Sequence, residues 1–269
     1  MRSIIVPVSD DKGLHSRVEA ALDIARAASG HITFLYGTPV GQYVAVDPFG
    51  GAYALATELD AAAALAKDRE AMLRERLDGE DIGWDFVDAA GFSEDVTVRH
   101  SRLADIVVDS APPRTGHDAD DAASHIAHLS MTASCPVFAI PPEAKSLDCT
   151  GKAVVAWNGS ESAGRALRAA VPLLGFAESV QLVTIGAAPE QFPAEAAASY
   201  LSRHGIHPEI VERERHGRPE TIMHDLLDQQ QAAYLVMGAF GHSRMREAVF
   251  GGFTQHFVQN SPVPVLMMH

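Results

Sequence analysis

Two cysteines, Cys135 and Cys149, are all that the 269 residues contain. They do not stand in a C-x2-C spacing, and two thiols in a chain of this size make no disulfide framework, so both are read as free. Long apolar runs are also missing. None approaches the roughly 18 to 20 residues needed to span a bilayer, and Met1-Arg2-Ser3-Ile4 enters a strand without a signal-like stretch or small-residue cleavage site. A cytoplasmic address is therefore expected, with no membrane partner. No lysine follows Lys152, which excludes a Walker A loop from the second half, because G-x4-G-K-[ST] needs one. Basic charge is scarce overall, with 21 Lys and Arg against 35 Asp and Glu. The excess is lopsided: 24 acidic to 12 basic residues over 1–150, but 11 to 9 over 151–269. No basic face is evident for nucleic acid. The near-neutral second half is the better host for one anionic ligand.

What is present is ample apolar material, 47% of the chain, enough for two buried cores. Ser3 to Val8 reads as a first buried strand, followed by turn chemistry at Ser9-Asp10-Asp11 and a helix from Leu14 to Ser29. A second strand runs from His31 to Tyr36, and the short connections favour a right-handed parallel βαβ unit. The stretch from Thr38 to Ala54, rich in Gly, Pro and aromatic residues, is long for a connection. It suits a lid, a dimer contact or an ordered surface loop. A helix follows over Leu55 to Leu77, then strands near Trp84 to Asp88 and Asp105 to Val108, a helix from Asp118 to Met131, and a closing strand, Cys135 to Ile140.

After a linker-like stretch, Pro141 to Gly151, the same order restarts. Ala153 to Ser160 matches Ile4 to Asp11, and the helix Ala163 to Leu174 matches the first helix. Ser179 to Ile185 matches the second strand. The segments Pro189 to His204, His207 to Glu212, Pro219 to Leu227 and the strand from Tyr234 follow in turn. Asp105 to Ser110 aligns with Ala233 to Gly238, and Cys135-Pro136-Val137 with Ser261-Pro262-Val263. Two tandem copies of an open, doubly wound parallel sheet, a Rossmann-like α/β fold, are the simplest account, divided as 1–146 and 147–269. In such sheets ligands bind at the carboxyl ends of strands, where strand order reverses.

The richest stretch begins at Tyr234. An apolar strand runs into Gly238-Ala-Phe240-Gly241-His242-Ser243-Arg244, and after Gly251-Gly252-Phe253-Thr254 comes helical sequence. Glycines there let backbone N–H groups approach an anion, and the following helix adds the positive end of its dipole. The same glycines are equally explained by strand-to-helix geometry alone. The spacing resembles the G-x2-G-x9-G motif of the universal stress protein family, and Ser261 to Met267 resembles the Pro-led strand with which members of that family end. The resemblance implies a tandem pair of such domains, facing each other as a pseudo-dimer. It further implies a cytoplasmic stress-response protein that binds ATP or a related adenine nucleotide, with or without Mg2+, and acts by signalling or partner binding.

On the same resemblance, Ala156, Trp157 and Asn158 receive adenine and ribose with Ile185 flanking the base. Met237, Gly238, Phe240, Gly241, Gly251, Gly252, Phe253 and Thr254 surround ribose and phosphates. The family's Asp is here Asn158, and the Ser or Thr after its third glycine is here Gly252. Positive charge near phosphate is left to Arg244, Arg246 or protonated His242, with Ser243 as a hydroxyl. The first copy has Ser110 where Gly238 stands, Pro113 near Gly241, and His125 with Ile126 near Gly251 and Gly252. Prolines 112 and 113 remove N–H donors and Asp109, Asp118, Asp120 and Asp121 add repulsion, so nucleotide is not expected there. His125 and His128 share a helix face at i, i+3; two ligands are too few for zinc, and a solvated face is the simpler account. No catalytic group stands out, and any ATP hydrolysis should be slow. A nucleotide-independent interaction protein of the same fold, with possible homodimer or other protein contacts, is the alternative.

Overall fold

Strands that are covered on both faces must be apolar along their whole length, and the chain supplies such stretches at the centre of one sheet. In the computed structural model, residues 1–9, 11–38, 51–113, 119–186, 192–240 and 252–269 are described. The first half holds β1 (Ser3–Pro7), α1 (Leu14–Ala28), β2 (His31–Thr38), α2 (Gly51–Arg76), β3 (Gly83–Ala90), α3 (Ser93–His100), β4 (Ile106–Ser110), α4 (Ala119–Thr132) and β5 (Val137–Ile140). The second holds β6 (Ala153–Ala156), α5 (Glu161–Leu174), β7 (Val180–Ile185), α6 (Ala194–Arg203), β8 (Glu209–Arg213), α7 (Pro219–Gln230), β9 (Tyr234–Gly238), α8 (Gly252–Asn260) and β10 (Val265–Met268).

All ten strands join one sheet, in the order β3-β2-β1-β4-β5-β10-β9-β6-β7-β8. Each half is parallel within itself, and the same topology appears twice about a central seam. At the seam β5 and β10 run antiparallel, with Val265 opposite Ala139 and Met267 opposite Val137. The Phe138 and Tyr234 rings meet edge to face there, 6.1 Å between centroids. The inner strands β1, β4 and β5 are almost wholly buried, whereas the edge strand β3 alternates between exposed and partly buried positions. One face is covered by α1, α2, α5 and α6 over a core cluster shared by both halves. On the other face α7, α8 and part of α4 cover one cluster, and α3 with Leu129 of α4 another.

The strand-end hydrogen bonds fix which residues of the two halves correspond. Val8 N–H donates to Leu35 O as Trp157 N–H does to Val183 O, and Asp105 N–H donates to Ser3 O as Ala233 N–H does to Lys152 O. Ser110 thus closes β4 as Gly238 closes β9. The third pairing corrects the sequence alignment. Val107 N–H bonds Pro136 O and Leu235 N–H bonds Pro264 O, so Pro136 corresponds to Pro264, and Cys135 to Val263. Two prolines two residues apart offered either alignment, and the sheet register selects the later one. Counting back from β5 and β10, His125 then stands at Phe253 and Ser124 at Gly252, two residues beyond the expected match.

Helix α3 has no counterpart in the residue pattern read above. Of its polar sequence only Val96 and Thr97 are buried, so it shows no apolar stripe. The stretch Thr38 to Ala54 is shorter than expected, because β2 runs to Thr38 and α2 starts at Gly51; residues 39–50 lie outside the described ones. Among the described residues no helix is long and apolar enough to cross a membrane. Cys135 and Cys149 are free and buried, and burial pushes both thiols up to about 12, which leaves them unreactive near neutrality.

Candidate functional site

In the second half the chain leaves β6 in one direction to β7 and β8, and in the other to β9 and β10. The crevice therefore lies beyond the carboxyl ends of β6 and β9. Ala156 ends β6, Ile185 ends β7 and Gly238 ends β9, while α8 starts at Gly252 after its connection from β9. The structure thus gathers Ala156, Trp157, Asn158, Ile185, Met237, Gly238, Phe240, Gly252, Phe253 and Thr254 at one edge. Gly241, His242, Ser243, Arg244 and Gly251 lie outside the described residues.

The gathered side chains play different parts. Ala156, Ile185, Phe240 and Phe253 are partly exposed, and all four pack against the same apolar cluster beneath them. Trp157 and Met237 point into the core, at 7% and 2% exposure. The Trp157 indole N–H donates to Phe192 O at 3.0 Å, so its ring is held in the packing under α5 and α6. Asn158 is exposed, and its Oδ1 accepts from Ser160 N–H at 3.1 Å. That turn presents Ser160 as the cap of α5, its Oγ accepting from Ala163 N–H. The buried Thr254 hydroxyl accepts from Phe240 N–H at 3.3 Å. Phe240 stands at φ 49°, a left-handed conformation uncommon for a bulky side chain and frequent at functional turns.

Gly238 has a structural reason to be glycine. A Cβ there would lie 2.5 Å from Ala163 N and 2.7 Å from Ser162 Oγ, at the start of α5. The first half solves the same contact in reverse. Ser110 stands at the Gly238 position, and Gly13, where the second half has Ser162, has no room for a Cβ because Ser110 fills it. Each half keeps one glycine at this crossing of strand end and helix start, on opposite partners.

The first-half crevice is filled by its own side chains. Arg17 is 1% exposed, and its guanidinium donates to Pro7 O at 2.9 Å, Asp11 Oδ1 at 2.9 Å, Ser110 Oγ at 2.7 Å and Ser9 Oγ at 2.7 Å. Burial works against the Asp11 carboxylate, but hydrogen bonding and charge from Arg17, with Ser9 and the Gly13 N–H, hold it below its usual range. Asp109 lies 3.9 Å from Arg17 and accepts from His125 Nε2 at 3.0 Å. His125 Nδ1 is 3.9 Å and His128 Nε2 3.4 Å from the Glu94 carboxylate on α3. His128 is exposed, as a solvated face requires, whereas His125 is half-buried between β4 and α3, because α3 packs where sequence had shown no helix. Among the described residues no three His, Cys, Asp or Glu side chains could hold a metal ion.

Sequence reasoning missed Arg17. It carried a signal: it shares a helix stripe with the buried Ala21 and Ile24, four and seven positions on.

This architecture, a fused pair of doubly wound α/β units joined in one sheet, defines the class of fold. Residues 150–269 match the model of the Universal stress protein family. Over its full length the chain is similar to a universal stress protein from Archaeoglobus fulgidus DSM 4304, with TM-score 0.73 and 14% identity, covering 99% of this chain and 96% of that one. It is also similar to a functionally unknown protein, PA1789, from Pseudomonas aeruginosa PAO1, with TM-score 0.61 and 15% identity, covering 99% and 92%. At these identities the likeness is one of fold, and both matches span the tandem arrangement. No curated protein matches the chain.

Proposed function

We propose that the second-half crevice binds one adenine nucleotide, ATP or a related one, and that the protein acts in the stress response by signalling that occupancy or by binding a partner. The observation that carries this reading is the set of four partly exposed apolar residues, Ala156, Ile185, Phe240 and Phe253, lying beside the start of α8. A flat apolar base needs such a surface, and a phosphate needs a helix N-terminus. The family match over residues 150–269 supports the same reading. In the first half the buried Arg17 stands against the corresponding strand end, bonded to Ser110.

Isothermal titration of nucleotide-stripped protein with ATP tests this. About one ATP per chain is expected, and Ile185→Ala with Phe253→Ala should weaken it about tenfold while the fold persists, from the apolar contact removed. Absence of binding at millimolar ATP with magnesium overturns the reading. One observation favours an interaction protein that needs no nucleotide: Gly238 is already required by its contact with α5. Turnover of ATP, if binding occurs, is expected to be slow.

A further inference from the structure

We propose that strand β8, the free edge of the second half, pairs antiparallel with β8 of a second copy of this chain, about a two-fold axis at Val211. Strand β8 is the last in the sheet, and its one neighbour there is β7. Gly186 N–H donates to Arg213 O. Arg213, Val211 and Glu209 therefore turn their backbone groups toward β7, and the alternate residues Ile210 and Glu212 turn theirs outward. An edge of this kind is a template for a further strand.

Charged side chains commonly guard such an edge, but here their signs are ordered. Val211 is buried, whereas Glu209 and Arg213, on the same face to either side of it, are exposed. Gln181 Nε2 donates to Glu209 Oε2 at 2.9 Å while its own Oε1 stays buried without a partner, so the carboxylate is held in place at the sheet edge. Arg213 Nη1 donates to Glu212 O at 3.1 Å. Among the described residues neither Glu209 nor Arg213 meets an opposite charge. Within one strand the two stand about 13 Å apart and cannot reach each other. A two-fold axis at Val211 brings Glu209 of each copy opposite Arg213 of the other, while Ile210 and Glu212 exchange backbone N–H···O bonds across the join.

Neighbouring registers lack this fit. Sliding the copies one way sets Glu212 against Glu212. Sliding them the other way sets Glu212 against Pro208, which has no N–H to give. The opposite edge of the sheet lacks it too, since β3 carries Asp85 and Asp88 and no basic residue, and pairing it with itself gathers only negative charge. The β8 contact uses the same patch on both copies, so it closes at two chains. It is short, well below the roughly 1,600 Å² of a standard interface, and a weak dimer with Kd about 100 μM is expected.

Sedimentation equilibrium of the full chain from about 10 to 500 μM tests this. Wild type should pass from monomer to dimer over that range and go no further. Glu209→Arg and Arg213→Glu each set like charges opposite one another, and each should weaken the dimer about tenfold. Combining the two changes in one chain should restore it, and mixing the two single variants should give a mixed dimer. Circular dichroism establishes that every variant is folded. A wild-type chain that stays monomeric throughout, or a dimer that neither single change weakens, overturns the proposal.

Discussion

Gly238 and Ser162 in one half, and Ser110 and Gly13 in the other, are the same contact with the small partner exchanged. Gly238→Ala should therefore cost ~1–3 kcal/mol through overpacking against α5, read from urea unfolding. The exchange pattern makes a sharper prediction. Gly238→Ser combined with Ser162→Gly should recover most of the loss suffered by Gly238→Ser alone, as a double-mutant cycle measures. Additive losses would show that the two halves are not equivalent here. This contact also marks how far the sequence could be read. The glycine spacing drew attention to the end of β9, but did not reveal that Gly238 answers to helix α5. Arg17 bonds Asp11 and Ser9 nearby in the chain, but its contact with Ser110 joins positions that only the topology makes neighbours.

At the scale of elements, α4 is held to β4 and α3 by charge as well as by packing. His125 lies between Asp109 of β4 and Glu94 of α3, with His128 sharing Glu94 and Arg17 of α1 opposing. Burial depresses the His125 pKa, but the hydrogen bond and charge of Asp109 and then Glu94 outweigh it and the net direction is upward from 6.5. A base held above its unfolded pKa stabilises fully below the unfolded value and loses that contribution as pH rises through the folded one. His125→Gln should therefore cost about 1 kcal/mol below pH 6.5, the usual worth of a charged hydrogen bond discounted for partial exposure. The difference should shrink as the solution becomes alkaline, and thermal melts across the pH series check it. A constant difference at all pH values would contradict it. The helices themselves differed in legibility. The apolar stripes of α1 and α5 mark them in sequence, whereas α3 buries too little to leave a pattern and is stabilised by what it touches.

For the whole molecule, the seam is the decisive feature. Strand β10 has β9 on one side and β5 of the other half on the other. A fragment spanning 147–269, the boundary we propose for the second domain, would leave one edge of β10 unpaired and uncover Tyr234 from Phe138. Such an edge is a template for another strand. The fragment should be dimeric in sedimentation at micromolar concentration while the full chain, under the same conditions, keeps that edge covered. A strictly monomeric, folded fragment would argue against the seam as a cohesive surface. The repeated order of elements was legible from apolar runs and turns, but the joining of two sheets into one was not, since nothing in a strand's own sequence names its neighbour across a linker.

The antiparallel seam has one more consequence. Because the halves run in opposite directions, their two crevices open at opposite ends of the sheet, and each can change without disturbing the other. Two identical subunits could not do this: an arginine that plugged one would plug both. Covalent duplication frees the copies to diverge, so that one strand end carries Ser110 and a buried arginine while the other keeps glycine. On the nucleotide reading proposed above, occupancy of such a chain would be graded by a single event.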